Sequence, residues 1–336
     1  MSFWNKLNKP FFVMAPMADV TDAPFRRLIA RESAHMRPDG TMGGPDVMWT
    51  EFVSADGLIR ATEEGKKKLL ADLIYTEEER PIVAQLFSSN PEYMEQAAAL
   101  VHELGFDGID INMGCPDKSI EKQGCGAAMI RNPRTAVAVI EAALRGGKGL
   151  PVSVKTRVGY NRDEMDTWLP HLLSTDIAAL TVHARTRKEM SKVPAVWERV
   201  AKAVTLRDRY NPRVLLIGNG DALSLHDAKK KAAEHNADGV MLGRAIFGNP
   251  WLFHPEQDLS NVSPEKRFET LIEHTHLFEQ LLPHKNFAIM KKHYKAYVHG
   301  FDGARELRSE LMEAKDAAEV ERLTREFLVA GNYKNS

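Results

Sequence analysis

The chain has 336 residues, 43% of them hydrophobic and 27% charged, with a formal net charge of −1. That balance excludes a disordered or fibrous chain, exceeds one ordinary domain, and leaves any nucleic-acid contact to a local patch rather than a global basic field. Two cysteines exclude a disulfide framework, and no apolar run approaches the roughly 18 residues that cross a bilayer, so a cytoplasmic protein without a membrane partner is expected.

Short apolar runs alternate with helical patterns from residue 11 to about residue 250. Strands are predicted at 11–15, 48–53, 82–87, 108–112, 152–156, 180–183, 214–217 and 239–242. Several are nearly continuous apolar segments, as parallel strands buried on both faces require. Between them, helices are predicted at 91–104, 133–144 and 224–235. In the first, Tyr93, Met94, Ala97, Ala98 and Val101 share one face. Asn90-Pro91 and Asn132-Pro133 each supply an N-cap and a proline at the first helical position. Residues 34–47, rich in Gly and Pro, read as a loop insertion in the first unit. Past 255–264 no strand pattern recurs. Ser263-Pro264-Glu265 opens a helix with Phe268, Leu271, Ile272, Thr275 and Leu282 along one face, and two or three further helices follow. The prediction is an α/β chain: a (β/α)₈ TIM barrel over 1–255, then a small all-helical domain over 262–336. A doubly wound open sheet is the competing fold, but its glycine-rich dinucleotide fingerprint is missing.

Unusual polar residues fall at the C-terminal end of nearly every predicted strand, the face that carries active sites in barrels. They are Pro16-Met17-Ala18, Glu51, Gln85, Asn112 with Cys115, Lys155, His183 with Arg185, Asn219-Gly220-Asp221 and Gly243-Arg244. One lysine or histidine so placed serves equally well as a structural hydrogen-bonder; the set together points to a site. Gly220 and Gly243 follow the last two strands, where barrels commonly hold a phosphate, and Arg244 would close it. Tight turns that merely need glycine are the alternative. Lys155 ends an apolar strand and requires an anionic partner. The N1–C2=O edge of a reduced flavin supplies one, with Gln85 on the pyrimidine-like edge of the ring. His183 suits the phosphate, the ring rim or a plain backbone bond. The turn Asn112-Met113-Gly114-Cys115-Pro116 presents Cys115 as a nucleophile or proton donor. Cys125 reads as small-residue packing, and the two cysteines, with no His or Cys cluster, make no metal site.

These motifs resemble the tRNA-dihydrouridine synthases. The resemblance rests on Met14-Ala15-Pro16-Met17-Ala18-Asp19-Val20-Thr21-Asp22, Ala84-Gln85-Leu86-Phe87, Asp110-Ile111-Asn112-Met113-Gly114-Cys115-Pro116 with Gly126-Ala127-Ala128, Val154-Lys155-Thr156-Arg157, Thr181-Val182-His183-Ala184-Arg185-Thr186-Arg187, Gly218-Asn219-Gly220-Asp221 and Gly243-Arg244-Ala245. It spans essentially the whole chain in the family's order. It implies FMN as cofactor and NADPH as electron donor, with Pro16, Met17, Ala18, Gln85, Lys155, His183, Asn219, Gly220, Asp221, Gly243 and Arg244 at the flavin. It also implies Cys115 as the general acid that protonates C5 of a uracil after hydride reaches C6. Asn112 and Arg185 become candidates for contacting the uracil or nearby phosphates. The Gly/Pro-rich stretch at 36–47 departs from the family's pattern and leaves the subfamily open.

Residues 284–308 carry Lys285, Lys291, Lys292, Lys295, Arg305 and Arg308 with interleaved Phe287, Tyr294, Tyr297 and Phe301, before an acidic stretch at 309–326. That segregation suits an RNA-binding patch, with Lys291, Lys292 and Lys295 at its centre; a solvated helix face over core aromatics is the alternative. The expectation is a monomer whose partners are tRNA and NADPH. Its rivals are a flavin barrel acting on a free pyrimidine, as dihydroorotate or dihydropyrimidine dehydrogenases do, and a non-catalytic tRNA-binding module of the same fold.

Overall fold

The computed structural model describes residues 2–37, 39–257, 259 and 261–331. Its contacts divide the chain into two bodies, Met1–Ala18 with Pro45–Ala245, and Asp19–Gly44 with Ile246–Ser336. The first body contains eight strands: β1 (Phe11–Met14), β2 (Met48–Ser54), β3 (Ile82–Phe87), β4 (Gly108–Met113), β5 (Val152–Arg157), β6 (Ala179–His183), β7 (Leu215–Asn219) and β8 (Gly239–Leu242). Strands β2 to β8 each pair in parallel with their sequence neighbours within that run, and β1 pairs in parallel with β8. The remaining seam is closed at the foot of β2, where Asp46 N–H donates to Phe12 O at 2.9 Å and Met14 N–H to Val47 O at 3.2 Å. The predicted TIM barrel is present, with every predicted strand within two residues of its observed bounds.

Alternation along each strand explains why the barrel interior is layered. One inward layer is apolar: Phe11, Val13, Trp49, Val83, Ala179, Ile217 and Met241 pack into one buried cluster floored by Trp4. Toward the C-terminal strand ends the interior turns polar. The pairings Gln85↔Asp110, Asp110↔Ser153 and Asn112↔Lys155 bring these side chains side by side on one face. The intervening Ile109, Ile111, Val152 and Val154 point to the other face and are fully buried.

The helices are α1 (Ala23–Glu32), α2 (Ala55–Arg60), α3 (Glu63–Ala71), α4 (Pro91–Glu103), α5 (Lys118–Lys122), α6 (Pro133–Gly146), α7 (Met165–Leu173), α8 (Glu198–Tyr210), α9 (Leu225–His235), α10 (Pro264–Leu281), α11 (Lys291–Tyr297), α12 (Ala304–Leu311) and α13 (Ala317–Ala330). Asn90 caps α4 by accepting from Glu92 N–H and Tyr93 N–H, and Asn132 caps α6 by accepting from Thr135 N–H, as the Asn-Pro pairs predict.

The division into bodies differs from the predicted boundary. Asp19–Gly44 groups with the C-terminal helices because α1 packs there: the Phe25 ring stacks on His274 at 5.0 Å, and Arg31 pairs with Glu273 at 2.5 Å. The stretch 34–47, predicted to be a loop, contains a short antiparallel hairpin pairing His35–Met36 with Met42–Gly43. Pro38 and the final residues 332–336 lie outside the described residues. The predicted apolar face of α10 is buried: Phe268, Leu271, Thr275 and Leu282 have no exposed surface.

Candidate active site

A cavity of about 800 Å³ opens at the C-terminal strand ends of the barrel. Pro16 and Met17 after β1, Lys155 on β5, His183 and Arg185 at the end of β6, Asn219-Gly220-Asp221 after β7 and Gly243-Arg244 after β8 all line it. The sequence thus brought nine of its eleven cofactor candidates together. The other two stand apart: Ala18 is exposed, and Gln85 is fully buried, and neither lines the cavity.

The wall is rich in cations, and their partners differ. Among the described residues, no carboxylate comes within ion-pairing distance of the Lys155 ammonium. Burial, reinforced by Arg157, pulls its pKa down to about 8. Asp221 holds the two arginines: one oxygen accepts from Arg185 and from Ala195 N–H, and the other accepts from Arg244. With Arg185 as the main cause, the Asp221 carboxyl falls to about 2. Asp221, predicted to touch a cofactor, therefore spends its charge on arginines. Arg185 is itself bound to Val193 O at 2.6 Å and to the His183 Nε2 at 3.1 Å. A guanidinium can only donate, so Nε2 accepts and the other ring nitrogen carries the proton. Burial and then the surrounding cations hold His183 well below its ordinary range, so the ring is neutral.

The glycines separate into two kinds. Gly220 sits at φ +129°, and a Cβ there would meet Ala195 at 2.8 Å. Gly243 has room for a Cβ, which would meet Ala15 and Met17 at an ordinary contact distance of 3.7 Å. Gly218 is a packing glycine instead, since a Cβ would lie 2.5 Å from the Trp197 ring.

Cys115 lies just beyond β4 and is half-buried, outside the lining of the cavity but close enough to Lys155 and Arg157 to feel their charge. It packs with Phe52, Phe87, Ile120 and Cys125. Burial pushes the thiol up, partly opposed by a backbone hydrogen bond from Asp117, so it keeps its proton at neutral pH. Its turn is held on three sides. Asn112 Oδ1 accepts from Gly114 N–H at 3.1 Å and Cys115 N–H at 2.9 Å. Cys115 O accepts from Ala127 N–H at 2.9 Å, and Arg157 donates to Gly114 O at 2.7 Å. Asn112 in turn donates to Gln85 Oε1 at 3.0 Å, and Gln85 Nε2 donates to Asp110 at 2.6 Å. Asp110 also accepts from Ser153 Oγ at 2.6 Å; complete burial raises it to about 6.

Arg157, Asp110 and Ser153 are site residues that the sequence reading did not single out. Their signal was positional: each is polar, in an apolar strand, two residues from a candidate already chosen. The loop 191–194, which also lines the cavity, gave no signal.

In the second body, Lys292 and Lys295 are exposed and Lys291 is half-buried; Lys292 stands 3.6 Å from Asp19. The interleaved aromatics are mostly core: Tyr294 and Tyr297 are buried, and Phe301 packs on Phe268 with ring centroids 5.3 Å apart.

The family model for dihydrouridine synthase (Dus) matches residues 13–331. A probable tRNA-dihydrouridine synthase 2 of Bacillus subtilis is 40% identical over 332 residues, which is 97% of this chain and 96% of that protein. A probable tRNA-dihydrouridine synthase of Staphylococcus epidermidis is 39% identical over 329 residues, 97% of this chain and 96% of its own length. Among solved structures, morphinone reductase aligns over 72% of this chain and 84% of its own at 14% identity and a TM-score of 0.48, too loose a likeness to add to the topology above. A family match from the first strand to the last helix, on a barrel whose polar strand ends converge as the motifs require, makes this chain a member of the dihydrouridine synthase family.

Proposed function

We propose that this protein reduces a uridine of tRNA to 5,6-dihydrouridine, using FMN bound in the barrel cavity and NADPH as electron donor. The observation that carries the reading is the cavity itself: one lining holds the unpaired, crowded ammonium of Lys155, a glycine turn at Gly243 with no close contact, and the exposed Arg244. These features fit a flavin mononucleotide. Lys155 suits the N1–C2=O edge, where negative charge gathers on reduction, while the Gly243-Arg244 loop suits the phosphate. When bound, FMN supplies the hydride that reaches C6 of the uracil. The names carried by the relatives support tRNA as the source of that uracil.

The chain's own residues then have distinct tasks. Hydride arriving at C6 leaves enolate character across C5 and O4, which needs one proton at C5 to complete the reduction. Cys115 holds that proton, because burial keeps the thiol neutral. Asn112 and Arg157 fix the turn that aims it. His183 and Asp221 hold Arg185 against the wall, and Asp221 also holds Arg244. Lysines 291, 292 and 295 serve as contacts for tRNA phosphates. The test supplies purified protein with FMN, NADPH and either unmodified tRNA or free uracil. Dihydrouridine in tRNA and none from free uracil is expected; turnover of the free base alone transfers the function to a free-pyrimidine reductase.

A further inference from the structure

We infer that Asp110, a buried carboxylate that neither lines the cavity nor bonds to Cys115, sets the direction of a hydrogen-bond relay that fixes the turn carrying the Cys115 thiol. The relay links two neighbouring strands: Asp110 on β4 to Gln85 on β3, back to Asn112 on β4, and out to the backbone of Gly114 and Cys115. Its two ends have fixed polarity. At one end stand two backbone N–H groups, which can only donate. At the other stands an ionised carboxylate, which can only accept. Two side-chain amides lie between, and each can face either way by itself.

Only one arrangement satisfies both ends. The carboxylate takes the Gln85 amide nitrogen, so Gln85 Oε1 faces Asn112 and must accept from its Nδ2. That leaves Asn112 Oδ1 facing the turn, where it receives both N–H groups. Gln85 has no exposed surface and Asn112 only 7%, so water cannot mend a reversed amide. Ser153 completes the far end by donating to the second Asp110 oxygen at 2.6 Å. Asp110 is thus a positioning residue, acting on Cys115 through two neutral amides. The same geometry gives Gln85 and Asn112 a task distinct from touching cofactor or substrate.

The relay can be reversed and then restored with isosteric changes. Asn112→Asp keeps an acceptor facing the turn but places a second oxygen against Gln85 Oε1. Gln85 must turn over, and its oxygen then meets Asp110. Adding Asp110→Asn cures this: the new amide donates to the turned Gln85, still accepts from Ser153, and the number of buried carboxylates returns to one. Any pull of the new carboxylate on Lys155, or any substrate bond that Asn112 gives up, is common to both proteins.

Two quantities are measured in wild type, Asn112→Asp and Asp110→Asn/Asn112→Asp, each saturated with FMN. The first is the rate of Cys115 alkylation by iodoacetamide, followed by peptide mapping. The second, which rests on the function proposed above, is the single-turnover rate of dihydrouridine formation in pre-reduced enzyme, alongside tRNA affinity. Asn112→Asp should slow turnover on the order of 10²-fold with unchanged tRNA affinity, as a misaimed group does. The double variant should regain at least about tenfold of that loss, a coupling expected only of residues in one network. Alkylation should change in the single variant and return in the double. A single variant that does not fold beside a double that does supports the relay equally. A double variant as impaired as the single, an unfolded double, or a single indistinguishable from wild type overturns it. If wild type makes no dihydrouridine, the function fails while alkylation still decides the relay.

Discussion

The Cys115 thiol is buried enough to hold its proton yet keeps part of its surface exposed, which suits the single proton transfer proposed for it. Cys115→Ala should retain FMN and its reduction by NADPH while losing about 10²–10⁴-fold in dihydrouridine formation, the usual worth of general acid catalysis. Stopped-flow flavin bleaching followed by tRNA-dependent reoxidation separates the two halves; an equal loss in both would remove Cys115 from the proton step. Cys125 is buried against Phe87 and Ile120, and Cys125→Ala should behave like wild type in both halves. Single residues were legible in the sequence where type and position suffice, as for Lys155 and Gly243. They were not legible where the neighbour decides. Gly218 answers to Trp197, Asp221 to two arginines, and Gln85 to a carboxylate 25 residues away. No local pattern encodes those partners, because strand register brings them together.

The strands announced themselves because a parallel strand covered on both faces must be apolar along most of its length. Helix ends were equally plain wherever an Asn-Pro pair supplied both cap and first turn. The hairpin at 35–43 and the allegiance of α1 were hidden, since α1 packs on residues more than 200 positions later and the hairpin's Gly/Pro content reads as loop. That packing has a measurable cost in acid. His274 and His293 lie ring to ring at 4.7 Å under Phe25, both fully buried. Tyr297 OH reaches His274 Nδ1 at 3.2 Å, while neither His293 ring nitrogen has a hydrogen-bond partner among the described residues. Burial first, then Lys292, depresses His293 to about 3; burial and His293 hold His274 well below 6.5. The unfolded chain takes up these protons below about pH 6.5 and the folded chain does not, so stability is present above that pH and falls as pH drops toward the folded values. Each histidine contributes up to about 1.4 kcal/mol per pH unit in that window. His293→Leu should therefore flatten the acid limb of urea midpoints against pH without loss at pH 7.5. A limb as steep as wild type would point to carboxylates instead.

Near-neutral overall charge conceals a division of labour between the two bodies. Under the proposed function the barrel's cations serve the chemistry, and Lys291, Lys292 and Lys295 on α11 are the surface proposed for tRNA. Converting all three to Glu should weaken tRNA binding and reduce its salt dependence by up to about three units of slope, one for each phosphate no longer engaged. Flavin reduction by NADPH should be unaffected. Titrations across a salt series decide the matter, and an unchanged slope would move the RNA footprint elsewhere. Within the barrel, Arg157 has a consequence for motion. Its guanidinium, held down to about 10 chiefly by burial, is bonded to three carbonyls: Gly114 after β4, and Thr186 and Met190 after β6. Neither loop can swing away alone without stranding that buried cation, so the two should fluctuate as one cooperative unit. Amide hydrogen exchange should show the 114–117 and 186–190 segments opening with a common free energy. In Arg157→Met the two should exchange independently, and the loop that carries the thiol should become the faster of the pair.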